Sequence, residues 1–292
     1  ILIVLLSLIG LFIVGAYHTN GYIKRYSPSV LDTQKYFETT EFRALIDKNG
    51  ISCNHRNPEN SCYFNKGKSK ELIVVGDSFS GVFTRNLSEM NNLSLRVFQY
   101  EQCPLLSTAI WFGNVPECWE INKSRWNQLE KLSPSNILIG TNFNQFERAK
   151  KSLDQLKNGE TNSTDQISSE EAFLSFRQAI EKLIQLGHHP IILLQTPNPE
   201  TDVAKDLQKK IVRANFSFQK EYDGTSTEEM DQKVIELLNG LQVDFINVNK
   251  KLCNSESKCL TFNETGGLYN EGDHLSYFGA KIFMDDIQQK LK

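Results

Sequence analysis

The sequence predicts an α/β domain built on a parallel sheet with helices on both faces. Short apolar segments recur at 71–75, 93–98, 136–139, 190–195 and 243–248, and stretches of helical periodicity alternate with them. Strands separated by helices require crossover connections, which keep the sheet parallel and place ligands at the carboxyl ends of the strands. A further observation puts chemistry at that edge. The first apolar run, Leu72 to Val75, turns through Gly76 and Asp77 directly into Ser78, where a helical pattern begins.

The elements follow in order. Residues 1–17 are almost entirely apolar and uncharged, and at about 1.5 Å per residue they reach about 25 Å into a bilayer core roughly 30 Å thick. They read as a transmembrane helix or the end of one. A signal peptide fits less well, because neither an initiating Met nor a basic leading stretch precedes the run. Residues 21–70 read as a connector with one helix over 31–47, whose Phe37, Phe42, Leu45 and Ile46 share a side. Beyond the first strand, helices are predicted over 81–90, 169–186, 227–241 and 277–291. The second is the clearest: Ser168 and Glu171 have capping-box spacing, and Phe173, Phe176, Ile180, Leu183 and Ile184 form one stripe. Residues 159–169 form a polar loop rich in Ser, Thr and Asn.

Composition excludes some functions. The 292 residues carry a net charge of -3 and show no basic stripe, so nothing favours nucleic acid. About 275 residues beyond the apolar run suffice for one full-sized domain and an accessory segment. The six cysteines fall in three sequence-local couples: Cys53 with Cys62, Cys103 with Cys118, and Cys253 with Cys259. Metal sites show C-x-x-C or Cys/His clusters, which this sequence lacks, so three short disulfides and no metal are expected. Disulfides place the domain in an oxidising compartment. Lys24 and Arg25, just after the apolar run, would argue for a cytoplasmic flank, but the six cysteines outweigh two charges.

Ser78 lies past the carboxyl end of a strand and at the start of a helix, where unpaired N–H groups and the positive helix end can stabilise an oxyanion. Taken alone, Asp77 and Ser78 are equally well explained as a helix cap. The histidines tip the balance. His18 adjoins the apolar run, His55 sits within a cysteine-closed loop, and His188 and His189 occupy a turn before a strand. His274 remains, between Gly272 and the last helix and flanked by Glu271 and Asp273. A serine with a distant histidine and acid is the constellation of nucleophilic acyl transfer. Asn142 follows the third strand at the same sheet edge, where its amide can donate to a developing oxyanion.

Gly76-Asp77-Ser78, Gly140-Thr141-Asn142 and Glu271-Gly272-Asp273-His274 resemble the serine, asparagine and histidine blocks of the SGNH hydrolase superfamily. More closely, the chain resembles the SGNH domain fused to the C-terminal end of bacterial acyltransferase-3 membrane proteins, which O-acetylate surface glycans such as lipopolysaccharide O-antigen. The cysteine placement around Cys103-Pro104-Leu105, Cys118, Cys253 and Cys259 matches as well. The resemblance implies a flavodoxin-like three-layer fold. It divides the chain into a last membrane helix (1–17), a periplasmic linking extension (18–70) and a catalytic domain (71–292) tethered to the bacterial inner membrane.

The implied mechanism is a double displacement. His274 takes the Ser78 proton, Ser78 attacks an acyl donor, the Ser78 backbone N–H and Asn142 hold the oxyanion, and a sugar hydroxyl then receives the acyl group. No cofactor is bound by the domain itself; acetyl-CoA is the ultimate donor, through an upstream acyltransferase-3 membrane partner. Three departures from the family pattern stand out. Glu271 replaces the usual Asp three residues before the histidine, which leaves Asp273 as the alternative acid. Tyr100-Glu101-Gln102-Cys103 stands where a block-two glycine is usual, so a backbone N–H must serve there. Phe143 replaces an Asp after the block-three Asn. A periplasmic carbohydrate acetyl-esterase, with water as acceptor, and a non-catalytic glycan-binding module are the rival readings.

Overall fold

The computed structural model describes residues 2–18, 45–53, 56–107, 117–147, 168–199, 221–225, 227–263, 266–270 and 272–292. Its strands in chain order are β1 (Cys62–Phe64), β2 (Lys70–Gly76), β3 (Leu93–Gln99), β4 (Asn136–Gly140), β5 (His189–Leu193), β6 (Asn198–Pro199), β7 (Glu221–Thr225), β8 (Asp244–Ile246), β9 (Lys258–Leu260), β10 (Phe262–Asn263) and β11 (Gly266–Gly267). The helices are α1 (Leu2–His18), α2 (Ser78–Ser88), α3 (Cys118–Leu129), α4 (Ser169–Gln185), α5 (Glu228–Leu237), α6 (Val248–Leu252), α7 (Tyr277–Lys281) and α8 (Met284–Lys290).

The main sheet has the order β1-β3-β2-β4-β5-β8. All five predicted strands form and run parallel; β1 adds antiparallel to β3 at the edge. The sheet is therefore mixed rather than purely parallel, and its added strand lies within the stretch read as a linking extension. Among the parallel strands the chain starts at β2, steps outward to β3, then crosses back to β4 on the other side of β2. That reversal is a topological switch point, where a crevice opens beyond the strand ends.

The central stretches of β2, β4 and β5 are apolar because both faces are covered. Leu72 and Val74 of β2 join a core with Phe83 and Leu87 of α2 and with Phe283 and Ile287. Ile73 and Val75 point the other way, toward Trp126 and Leu129 of α3, Phe173, Phe176 and Ile180 of α4 and Val234 of α5. All four strand residues are fully buried. Successive β2 side chains point to opposite faces, and this alternation builds three layers.

Several expectations are corrected. Helix α2 starts at Ser78, three residues before the predicted 81, because Asp77 caps it: the Asp77 carboxylate accepts the Phe79 N–H at 2.9 Å. The single helix predicted over 277–291 is two, broken at Ile282 and Phe283. There the N–H groups reach only three residues back, to Gly279 and Ala280, and Phe283 is fully buried in the core. Helix α3 had no counterpart in the sequence reading, because its inward face includes the buried polar residues Asn122, Ser124 and Arg125. The capping box of α4 is present in full, with Ser168 and Glu171 each accepting the other's backbone N–H. The helix predicted over 31–47 lies outside the described residues except at its end. There Leu45 to Asp47 are not helical: Ile46 bridges Ser52, and the Asp47 carboxylate caps the Asn49 and Ile51 N–H groups.

Helix α1 forms over Leu2–His18, and Leu11, Phe12, Ile13, Val14 and Tyr17 on it are exposed. Among the described residues no helix is long and apolar enough to cross a membrane. The three expected disulfides, Cys53–Cys62, Cys103–Cys118 and Cys253–Cys259, are all formed, and among the described residues no cysteine is free.

Candidate active site

Two glycines bring the site together. Gly76 ends β2 and Gly140 ends β4, paired across the switch point. Gly76 has φ +133, and a Cβ on it would stand 2.0 Å from the Gly140 carbonyl oxygen. A Cβ on Gly140 would stand 2.6 Å from the Ser80 nitrogen. Without side chains at both positions, the first turn of α2 lies directly against the end of β4.

Ser78 is half-buried at the start of α2. Its Oγ lies 2.8 Å from Nε2 of His274, 196 residues away. His274 sits in a tight return: Tyr269 bridges Leu275, and Asn270 N–H donates to the His274 carbonyl at 2.9 Å. Ser276 then caps α7 by accepting the Gly279 N–H. The Phe79 ring packs on the imidazole with centroids 4.8 Å apart. The structure thus brings these two residues, singled out by motif and elimination, to hydrogen-bonding distance.

The acid is a different matter. Glu271 lies outside the described residues. Asp273 Oδ1 is 3.6 Å from His274 Nδ1, beyond a hydrogen bond. Asp273 also stands near Tyr269, whose buried hydroxyl has no partner among the described residues and whose ionisation is pushed up by burial first and by the Asp273 charge second.

Asn142 is held beside the nucleophile's turn. Its backbone N–H donates to Asp77 Oδ2 at 2.9 Å, and the next N–H, of Phe143, donates to Gln195 Oε1 at 2.9 Å. Gln195 is fixed in turn by its own N–H on Asp231 Oδ1. The Asn142 side chain is nearly buried, and its Oδ1 has no hydrogen-bond partner among the described residues. Ser78, as first residue of a helix, has an N–H without an intrahelical acceptor. Of the block-two stretch, Tyr100 N–H is committed to the Gly76 carbonyl and Cys103 N–H to the Tyr100 carbonyl. Gln102 adopts φ +53, the left-handed conformation in this turn that a glycine would take without cost.

The electrostatics centre on Asp77. The carboxylate is fully buried, and desolvation pushes its pKa up to about 6 against the pull of the Asn142 and Phe79 N–H groups and of His274 and Arg125. Arg125, also fully buried, donates to the Gly76, Phe98 and Cys103 carbonyls. The sequence reading missed the cross-links made by Asp77, Gln195 and Arg125. Gln195 carried a legible signal, a polar residue closing an apolar strand as Asn142 does; Arg125 carried none. His188 and His189 are structural as expected: His188 bridges Ser135 N–H and the Leu129 carbonyl, and His189 pairs with Asp244. Among the described residues no three His, Cys, Asp or Glu side chains converge as a metal site would require.

A flavodoxin-ordered sheet with a serine at the switch point, a histidine on its hydroxyl and an asparagine on the neighbouring strand end defines an SGNH-type domain. The family model described as the SGNH domain fused to AT3 domains matches residues 50–289, and the chain belongs to that family. The fold is similar to the periplasmic domain of a lipopolysaccharide acetyltransferase from Salmonella serovar Paratyphi A, with a TM-score of 0.62 at 17% identity, covering 90% of this chain and 97% of that one. Weaker likenesses include a Bacillus subtilis protein, TM-score 0.42 at 13% identity over 76% of this chain and 55% of that one. Another is a catalytic mutant of an acetylxylan esterase from Geobacillus stearothermophilus, TM-score 0.37 at 13% identity over 78% and 96%. No curated protein sequence matches the chain.

Proposed function

We propose that this domain moves an acyl group, through an ester on Ser78, to a sugar hydroxyl of a bacterial surface glycan such as lipopolysaccharide O-antigen. The observation that carries the reading is the 2.8 Å contact between Ser78 Oγ and His274 Nε2 at a helix start. His274 accepts the hydroxyl proton as Oγ attacks the acyl carbonyl, and the Ser78 N–H and the Asn142 amide stabilise the oxyanion. The same imidazole returns the proton to the departing group. It then takes a proton from the sugar hydroxyl, which attacks the serine ester, and returns that proton to Ser78 Oγ as the acyl–Oγ bond breaks. The Gln102 N–H is a further donor the block-two turn offers. Glu271 orients the imidazole, with Asp273 as alternative.

Family membership supports an acyltransferase-3 membrane domain upstream as partner, with acetyl as the acyl group and acetyl-CoA as its ultimate source. The exposed apolar α1 supports attachment to the inner membrane, and the three disulfides fit a periplasmic location. A tether raises the effective concentration of a partner into the millimolar range for short flexible connections, which benefits a transferase fed through the membrane.

The test compares cells producing the protein joined to its membrane partner, with and without Ser78→Ala. Glycan O-acylation should disappear with the substitution, while the chain alone hydrolyses small activated acetyl esters slowly. If the chain alone strips acetyl groups efficiently from native glycan, and its production lowers glycan acetylation, an esterase function replaces this one.

A further inference from the structure

The reading of Ser78 as nucleophile leaves one expensive feature unexplained. Arg125 of α3 is 0% exposed, yet among the described residues its guanidinium donates to backbone carbonyls and one side-chain amide and to no carboxylate. Its donors go to Phe98 O through Nε at 2.9 Å, Gly76 O through Nη2 at 2.7 Å, and Cys103 O and Asn122 Oδ1 through Nη1 at 2.9 Å each, with Pro104 O at 3.4 Å. Removing a charged guanidinium from water costs several kcal/mol, and an apolar residue would fill such a place at no such cost. Desolvation lowers the Arg125 pKa to about 9.

The acceptors share a location. Gly76 immediately precedes Asp77 and Ser78, Phe98 lies at the end of β3, and Cys103 and Pro104 close the turn that carries Gln102. One planar cation therefore fastens the nucleophile's strand to the turn facing it. The Cys103–Cys118 disulfide fixes the same turn to the first residue of α3, and the Asn122 amide donates to Pro104 O at 3.0 Å. Arg125 is also the buried positive charge that favours the ionised form of Asp77, the carboxylate that holds the Asn142 backbone.

We propose that Arg125 is a positioning residue for acyl transfer: it sets the nucleophile's turn against the Tyr100 to Cys103 turn and, through Asp77, holds Asn142 at the oxyanion. The proposal rests on the function proposed above. It differs from a purely structural role in one respect, that loss of Arg125 slows the attack of Ser78 more than it weakens substrate binding.

The experiment uses the whole chain with two probes. One is 4-nitrophenyl acetate hydrolysis. The other is a fluorophosphonate, which reacts by forming a bond between Ser78 Oγ and phosphorus as fluoride leaves and His274 takes the proton. Arg125→Lys keeps the charge but cannot reach all the carbonyls. It should lower kcat and the labelling rate by roughly ten- to a hundredfold, as misplacement of reacting groups does, with KM changed less than about threefold. Arg125→Met should lower both further. Variants that fold and label within about twofold of wild type, even if they melt earlier, overturn the proposal. Should neither Arg125 variant fold, Asn122→Ala must still slow labelling several-fold at unchanged KM, and unchanged labelling overturns the proposal. Wild-type protein that is not labelled at Ser78 removes the acyl-enzyme reading itself, before any variant is compared.

Discussion

The Asp77 carboxylate accepts the Asn142 backbone N–H at 2.9 Å with one oxygen and the Phe79 N–H at 2.9 Å with the other. The residue before the candidate nucleophile thus both starts the helix that presents it and locates the candidate oxyanion donor on the next strand. A helix cap, the plain explanation for an Asp-Ser pair, and a functional role are here one arrangement.

Asp77→Asn therefore separates stability from activity. The amide can accept only one of the two N–H groups, but it escapes the desolvation that pushes the Asp77 pKa up to about 6. The variant should melt no earlier than wild type at neutral pH, while ester hydrolysis falls roughly ten- to a hundredfold. Melting curves and steady-state kinetics on one preparation check both halves; unchanged kcat would leave Asp77 a cap and nothing more.

The two acids that precede His274 in the sequence, Glu271 and Asp273, are separable by substitution. Asp273 stands 3.6 Å from Nδ1, too far for the hydrogen bond that fixes a tautomer. Glu271→Gln should then cost far more activity than Asp273→Asn, in kcat rather than KM. The reverse ranking would give Asp273 the orienting role.

Gly140→Ala should destabilise the domain by about 1–3 kcal/mol or more, since the added methyl would press on the backbone of Ser80. It should also lower activity, because Ser80 can yield only by moving the first turn of α2. Gly10→Ala, where a Cβ meets nothing within 4 Å, is the control and should change neither. Denaturant titration and ester hydrolysis of the two variants decide it.

Asp231 gives a pH dependence of stability. It is 3% exposed, and burial, with a smaller push from Glu228, raises its pKa to about 7 against hydrogen bonds from Gln195 N–H and Thr227 Oγ1. With the folded value above the unfolded one, its contribution is complete below about pH 4 and is lost as pH rises toward 7. Asp231→Asn keeps both contacts, since the Thr227 hydroxyl can also accept. At pH 8 the variant should be more stable by on the order of 2 kcal/mol, with the gap closing toward pH 4. A gap independent of pH would show that Asp231 is not the titrating group.

The sequence by itself determined the five parallel strands, the capping box of α4, the disulfide pairs and the partnership of Ser78 with His274. These are written in local signals: apolar runs, cap spacing, short cysteine intervals and the scarcity of unexplained histidines. Only the tertiary structure decided what holds the site in register. Asp77, Gln195 and Arg125 act on backbone groups far along the chain, and a backbone N–H or carbonyl has no letter in the sequence. Arg125 was least legible, because it lies on a helix whose buried face is partly polar and so lacks the apolar stripe by which buried faces are recognised. The break between α7 and α8 was equally hidden, since it answers to the space that Phe283 fills in the core and not to a breaker residue. Gly76 and Gly140 stood in plain sight as motif letters, but the reason for them, two strand ends and a helix start in contact, exists only when the strands are side by side.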